Sequence, residues 1–275
     1  MTTYPILSII TVNLNNRDGL KRTIDSVICQ TFTDYEWIII DGGSTDGSRE
    51  LIEQYQDHFA YWCSEPDKGI YNAMNKGIVH AKGEWLQFLN SGDLLFKDNI
   101  LQQIFSNQYY ADVIYGDAMR YSSNNTIPWL VTKKISLSFL MDFSICHQSS
   151  FFNKRVFINR CYDESYKLAS DWALYLQLVL ENAHFQYIPY CITYFENEGL
   201  TYSNGSLSSS ERDQIKEKYI PYHLNYDINC LLYYKKKERI INSHKLFKFI
   251  MKNAERRIII AQKIITVLER LKAHK

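Results

Sequence analysis

Short apolar runs and helical repeats alternate along the first 115 residues. Ile6-Leu-Ser-Ile-Ile-Thr-Val12 is an apolar run of the length of a strand buried on both faces. Leu20, Ile24, Val27 and Ile28 recur at helical spacing, and Trp37-Ile-Ile-Ile40 predicts a second strand. That strand stops at the turn-rich Asp41-Gly-Gly-Ser-Thr-Asp-Gly47, and Ser48 to Gln56 reads as helix. Phe59 to Cys63 predicts a short third strand, Ile70 to His80 a helix, and Trp85-Leu-Gln-Phe-Leu89 a further strand ended by Asn90-Ser-Gly-Asp93. Ile100 to Phe105 is again helical and Val113-Ile-Tyr115 strand-like. Strands alternating with helices predict an α/β fold, a mostly parallel sheet covered on both faces.

The second half is less regular. Phe139 to Phe152 encloses Cys146-His-Gln-Ser-Ser150, and Leu168 to Glu181 predicts a helix with Trp172, Tyr175, Leu176 and Val179 on one side. The Gly, Ser and Asn content of Glu198 to Ser210 predicts a loop or lid. From His244 onward Phe247, Ile250, Ala254, Ile258, Ala261, Ile265 and Leu268 repeat every three or four residues, with Lys248, Lys252, Arg256, Arg257, Lys263 and Arg270 among them. Lys235-Lys-Lys237, beside Tyr233 and Tyr234, precedes this segment.

Charge changes the picture. The net charge of +1 is a cancellation: residues 215–275 hold 15 Lys and Arg against 5 Asp and Glu, whereas residues 1–214 hold 16 against 25. The global balance argues against a dedicated nucleic-acid binder, and the asymmetry between acidic body and basic extension suggests different partners for each. A basic amphipathic helix with aromatic neighbours suits an anionic membrane surface. A terminal helix packed on the domain and a homo-oligomer contact are the alternatives. At 46 % hydrophobic and 22 % charged residues the chain is globular. No run of 18 apolar residues predicts a membrane span. The six cysteines are at least fifteen residues apart, which excludes a CxxC motif. The first 16 residues carry no Lys or Arg and begin a strand, so no leader is expected. The thiols are expected to be buried and reduced, in a cytoplasmic protein.

Chemistry is expected beyond the carboxyl ends of the strands, where open α/β sheets bind ligands. Four polar clusters fall there: Thr11 to Asn16, Asp41 to Asp46, Glu65 to Lys68 and Asn90 to Asp93. The chain lacks the Gly-x-Gly-x-x-Gly of dinucleotide binders, the P-loop and the Gly-x-Ser-x-Gly nucleophile elbow.

Pro5 to Asn13, Ser26 to Phe32, Glu36 to Gly47, Ser64 to Gly77 and Trp85 to Asp93, in that order, resemble an inverting family 2 glycosyltransferase of the bacterial surface-polysaccharide type. The likeness is close over residues 4–120 and looser to about 210. It implies the GT-A nucleotide-diphospho-sugar transferase fold. Such enzymes place an Asp-X-Asp motif at a strand end to hold a divalent cation on the donor diphosphate. Here Asn90-Ser-Gly-Asp93 keeps only the last aspartate. The resemblance makes Asp93 the ligand of Mg²⁺ or Mn²⁺, a hard cation that needs only one or two protein carboxylates. Asn90, Ser91 and Gly92 then lie near the donor.

The resemblance further implies that Asp41 reads the nucleotide base, commonly uracil N3–H, with Thr11 and Asn13 lining the base and ribose pocket. Asp67 and Lys68 flank the nucleotide, and Lys68 is either a phosphate contact or a solvated lysine. Asp46 is expected to be a structural turn or cap residue. Asp171, in Ala169-Ser-Asp-Trp-Ala-Leu174, matches the general base that takes the acceptor hydroxyl's proton, although its place before an apolar helix also suits an N-cap. His147 and Gln148 resemble a His-Gln-Ser segment near the acceptor or diphosphate; a satisfied core histidine is the alternative. Tyr202 to Ser209 is similar to a flexible loop that closes over the donor and excludes water.

The expected organisation is a GT-A catalytic domain over 1–214, with a nucleotide-binding half to about 115 and an acceptor half beyond, and a basic helical extension over 215–275. The expected function is hexosyl or N-acetylhexosaminyl transfer, with inversion, from a nucleotide-diphosphate donor, preferably a UDP-sugar. The acceptor is a glycan or lipid-linked glycan, and the site of action the inner face of the cytoplasmic membrane. A catalytically weak member acting as a membrane-associated binding or assembly module is the alternative.

Overall fold

Seven consecutive residues, Leu7–Asn13, are all buried and form β1, an interior strand of the sheet. The computed structural model describes residues 4–122, 125–196 and 205–243. They divide into two compact units, Met1–Tyr219 and Ile220–Lys275. The amphipathic segment from His244 and residues 202–204 of the expected lid lie outside the described residues.

In the first unit β1 is followed by α1 (Arg17–Ile28), β2 (Tyr35–Asp41), α2 (Ser48–Gln54), β3 (Tyr61–Ser64), α3 (Ile70–His80) and β4 (Trp85–Phe88). Then come β5 (Leu94–Leu95), α4 (Ile100–Phe105), β6 (Val113–Ser122), β7 (Asn125–Trp129), α5 (Leu137–Asp142), β8 (Ser150–Asn153), α6 (Ser170–Leu180), β9 (Phe185–Glu196) and α7 (Gly205–Tyr219). The strands form one nine-stranded sheet in the order β3-β2-β1-β4-β8-β6-β9-β5, with β7 paired to β6. β3, β2, β1 and β4 are mutually parallel. β8 runs antiparallel between β4 and β6, while β6 and β9 are parallel. The α/β architecture is therefore a parallel half joined to a mixed half, and β6 crosses position 115.

The core explains the alternation. Ile9, Trp37 and Ile39 from the strands pack with Leu20, Ile24 and Val27 of α1 and with Leu51 and Ile52 of α2, all nearly inaccessible to solvent. Each such side chain contributes roughly 1.5–3 kcal/mol by burial. On α3 a Cβ at Gly77 would run into the side chain of Ile10, so glycine lets this helix lie close on β1.

Some boundaries differ from the pattern. The third strand begins at Tyr61, because a 3-10 turn over Gln56–His58 intervenes and Phe59 packs edge-on against Trp37, 5.0 Å between centroids. Residues 205–210, expected in a loop, open the helix α7. Of the cysteines, all six are free, but only Cys146 is buried; Cys29 and Cys161 are exposed, which corrects the expectation of buried thiols.

The second unit contributes α8 (Tyr222–Ser243). Tyr222, Tyr226 and Tyr233 are exposed and share a face by helical spacing, and Lys236 and Lys237 are exposed near its end. The Lys237 ammonium lies 5.1 Å from the Tyr233 ring centroid. No helix among the described residues is long and apolar enough to cross a membrane.

Candidate active site

The parallel register brings three strand ends together. Asn13 is the partner of Asp41, and Asp41 the partner of Ser64. Asn13 Nδ2 donates to Asp41 Oδ1 at 2.7 Å. The Ser44 hydroxyl donates to the same oxygen at 2.6 Å, and the other oxygen accepts from Ser44 N at 2.9 Å and Ser64 Oγ at 2.6 Å. Burial pushes the Asp41 carboxyl up, but these four donors outweigh it and hold it below the usual carboxylate range. Asn13 Oδ1 is buried without a hydrogen-bond partner, an acceptor left open beside this cluster.

Thr11 lies one step deeper on the same face. It is fully buried, and its hydroxyl accepts from Trp37 Nε1 at 3.0 Å. Asp67 overhangs the loop after β2: a Cβ on Gly42 would sit 2.5 Å from Asp67 Oδ2. Gly43, at φ +80°, makes the turn that only glycine adopts readily. Lys68 is exposed. Asp46 accepts from Arg17 N at 2.8 Å and Ser48 N at 3.0 Å and ties α1 to α2.

The Asn90–Asp93 loop leaves β4 beside these groups and is pinned from two sides. Asn16, which caps α1, donates to Ser91 O at 3.0 Å, and Thr23 donates to Asp93 O at 2.8 Å while accepting from Gly92 N at 2.9 Å. Tyr121 of β6 donates to Gly92 O at 2.7 Å, and Gly92 takes φ +100°. The loop turns the Asp93 side chain inward. Burial raises its carboxyl to about 7, against the pull of the His147 charge, the Gln148 amide and the Asn90 backbone, with Glu196 adding to the rise. Asp93 Oδ2 has no hydrogen-bond partner, and neither has Asn90 Oδ1.

A buried carboxylate oxygen without a donor is costly unless a cation completes it. No cluster of three or more His, Cys, Asp or Glu placed to hold a metal occurs among the described residues. A cation held mainly by water and phosphate oxygens needs no such cluster, and the one hard oxygen donor of Asp93 fits it.

The mixed half of the sheet supplies the opposite wall. Because β8 runs antiparallel to β4, the residues before β8 arrive where β4 ends. There His147–Ser149 form a 3-10 turn, fastened by Gln87 Nε2 to Gln148 O at 2.8 Å and by Ser149 Oγ to Thr193 Oγ1 at 2.6 Å. His147 Nδ1 lies 3.2 Å from Asp171 Oδ2, and its Nε2 lies 3.2 Å from Asn90 Nδ2.

Asp171 stands in the first turn of α6, where the helix dipole favours a negative charge. Its Oδ1 accepts from Trp172 N at 2.8 Å and from the Tyr71 hydroxyl at 3.1 Å. Burial would raise this carboxyl; the His147 bond and charge, the Trp172 N–H and the Tyr71 hydroxyl outweigh burial and hold it below the usual range. Tyr71 is itself raised well above the ordinary phenol, by burial first and by the Asp171 charge second, so it stays a donor.

Tyr71 and Glu211 carry no signal in the sequence patterns. Tyr71 falls within the Ser64–Gly77 motif, but its helical spacing marks it only as core. Glu211 of α7 is buried and accepts from Lys167 N at 2.8 Å, Leu168 N at 2.9 Å and Ala169 N at 3.0 Å, which sets where α6 begins. Arg212, next in α7, places its guanidinium 5.3 Å from the Trp172 ring centroid.

The site is thus a rim of buried, directed carboxylates at the carboxyl ends of a parallel sheet, in the nucleotide-diphospho-sugar transferase (GT-A) fold. Solved structures share that fold: S. aureus TarS in complex with UDP-GlcNAc has a TM-score of 0.60 at 17 % identity, over 72 % of this chain and 60 % of that one. A Pyrobaculum calidifontis mannosyltransferase in complex with GDP-Man and Mn²⁺ has 0.60 at 14 % identity, over 80 % and 65 %.

The profile of glycosyl transferase family 2 matches residues 8–173, and the chain belongs to that family. An uncharacterized glycosyltransferase of Mycobacterium tuberculosis is 45 % identical over 104 residues, 38 % of this chain and 40 % of that relative's length. A PGL/p-HBAD biosynthesis glycosyltransferase of the same species is 31 % identical over 175 residues, 61 % of this chain and 67 % of that one.

Proposed function

We propose that this chain transfers a glycosyl residue from a nucleoside-diphosphate sugar, preferably a UDP-sugar, to a hydroxyl of a glycan or lipid-linked glycan, with inversion, in bacterial surface polysaccharide synthesis. The observation that carries it is the rim on which Asn13 and Asp41, Asp93 and Asp171 converge. Asp171, ionised and fixed by three donors, takes the proton of the acceptor hydroxyl. The hydroxyl oxygen forms its bond to the anomeric carbon from the opposite side as the bond to the diphosphate oxygen breaks. The electron pair leaves on the diphosphate, and a single displacement inverts the carbon.

Asp93 would hold Mg²⁺ or Mn²⁺, which on binding neutralises the charge of the departing diphosphate. Lys68 and Asp67 would flank the nucleotide. The Asp41 carboxylate, with Asn13 Oδ1 open beside it, reads the base. Pairing with uracil N3–H calls for one of the Ser44 or Ser64 hydroxyls to turn away. Bound UDP-GlcNAc in TarS and GDP-Man in the mannosyltransferase support a nucleotide-sugar donor, and the PGL/p-HBAD relative supports a role in biosynthesis. The basic extension over 215–275, with the tyrosines and lysines of α8, suits peripheral attachment to the inner face of the membrane.

A thermal-shift screen of nucleotide sugars with Mn²⁺ tests this reading, because a ligand of the native state raises the melting temperature. A UDP-sugar is expected to give the largest shift. No shift with any nucleotide sugar would favour the second reading, a catalytically weak binding module, for which the single carboxylate of the Asn90–Asp93 loop speaks.

A further inference from the structure

His147 stands between two groups that make opposite demands on it. A carboxylate oxygen of Asp171 faces Nδ1 and the amide nitrogen of Asn90 faces Nε2, each at 3.2 Å. A carboxylate only accepts and an amide nitrogen only donates. One neutral tautomer satisfies both: the proton sits on Nδ1 and is donated to Asp171, and the Nε2 lone pair accepts from Asn90. The backbone that carries the ring is held in place. Its turn is fastened by Gln87 and Ser149, and the following Ser150 hydroxyl donates to Cys146 O at 3.1 Å while accepting from Tyr175 at 2.8 Å.

We propose that His147 is a positioning residue joining the two halves of the site: its Nδ1–H orients the Asp171 carboxylate, and its Nε2 lone pair orients the Asn90 amide so that Oδ1 is offered to the donor. Asn90 and His147 are then a matched pair, which gives the loss of the first family aspartate a physical reason. An aspartate at 90 would set an acceptor against the Nε2 lone pair. Between two carboxylates the ring would take a second proton, and the imidazolium charge would weaken Asp171 as a proton acceptor. Restoring the Asp-X-Asp pattern here should therefore weaken transfer. The inference rests on the reading of Asp171 as the base.

Two measurements test it on the full chain. The first needs no substrate: nitrogen-15 correlation spectra of histidine-labelled protein at alkaline pH, where an imidazole is neutral, with His147→Asn identifying the signal among the seven histidines. His147 is expected as the Nδ1–H tautomer, and Asn90→Asp is expected to add a proton at Nε2. A wild-type Nε2–H form, or no added Nε2 proton in Asn90→Asp, overturns the proposal. The second follows nucleoside-diphosphate release from the nucleotide sugar that gives the largest thermal shift. Asn90→Asp and His147→Ala are each expected to lower kcat by about 10- to 100-fold, with the donor KM changed less than about threefold. His147→Asn, which keeps an N–H near the place of Nδ1, should recover most of the loss. A higher kcat in Asn90→Asp, or a loss confined to KM, overturns it. Spectra as expected without transfer from any nucleotide sugar would leave the hydrogen-bonded pair standing and remove the transferase reading instead.

Discussion

Asn13 and Asp41 end neighbouring parallel strands, are register partners, and share a hydrogen bond of 2.7 Å although 28 residues separate them. In the role proposed for it, the pair makes base recognition a property of the sheet rather than of a loop. Asp41→Asn is expected to weaken UDP binding by about 10-fold or more, the cost of leaving a buried partner unmatched. Titration calorimetry checks this, and unchanged affinity would take Asp41 out of the base site. The same residue has a stability signature. Its folded carboxyl is held below the unfolded value, so it stabilises the fold above the ordinary carboxylate range, and that contribution disappears as pH falls through the lowered value. The melting temperature of Asp41→Asn should therefore lie below wild type at neutral pH and converge with it in acid.

Asp171→Asn keeps the shape of the side chain and removes the proton acceptor. Transfer is expected to fall by about 10²- to 10⁴-fold with nucleotide affinity retained. In the wild type the lowered carboxyl keeps the base ionised into the acid range, so activity dependent on it should be lost only as pH falls below the usual carboxylate range. A pH–rate profile whose acid limb lies higher than that would assign the proton transfer elsewhere.

Asp93 carries the opposite sign. Its carboxyl titrates at about 7 in the fold and near 3.8 when unfolded, so the native state holds the extra proton between these values. Without cation, stability should decline as pH rises through that window, and the full penalty persists above it. Asp93→Asn is expected to raise the melting temperature of the cation-free protein above neutral pH and to abolish stabilisation by Mn²⁺ with UDP. Melting curves across pH, with and without Mn²⁺, read both effects.

The exposed Lys236 and Lys237 of α8 make a membrane prediction testable on the full chain. A basic residue at an anionic surface contributes about 1 kcal/mol, so Lys236→Glu with Lys237→Glu should weaken sedimentation with phosphatidylserine vesicles by roughly 30-fold or more, and salt should weaken the wild type similarly. Binding indifferent to both would assign the segment to another contact.

The parallel half was legible because its signals are local. Apolar runs such as Trp37 to Ile40, glycine-rich turns and amphipathic repeats each act within a dozen residues. The mixed half depends on pairing at long range: Val113 meets Phe152 on one side and Phe185 on the other, and no local pattern in Val113 to Ser122 announces either partner. The site divides in the same way. Asp41, Asp93 and Asp171 sit in recognisable motifs, but the contact of His147 with both Asn90 and Asp171 arises only when β8 docks beside β4. Serine-rich composition hid the start of α7, whose glutamate is satisfied by backbone groups more than 40 residues earlier.

That glutamate bears on how the enzyme can be cut and recombined. Likeness to the family ends at residue 173, two positions after Asp171, yet the peptide leading into Asp171 is gripped from Glu211. A chimera joined between these points would carry Asp171 on an untethered approach, with three N–H groups, that of Ala169 buried, left without Glu211. The smallest exchangeable part of this protein therefore runs through α7.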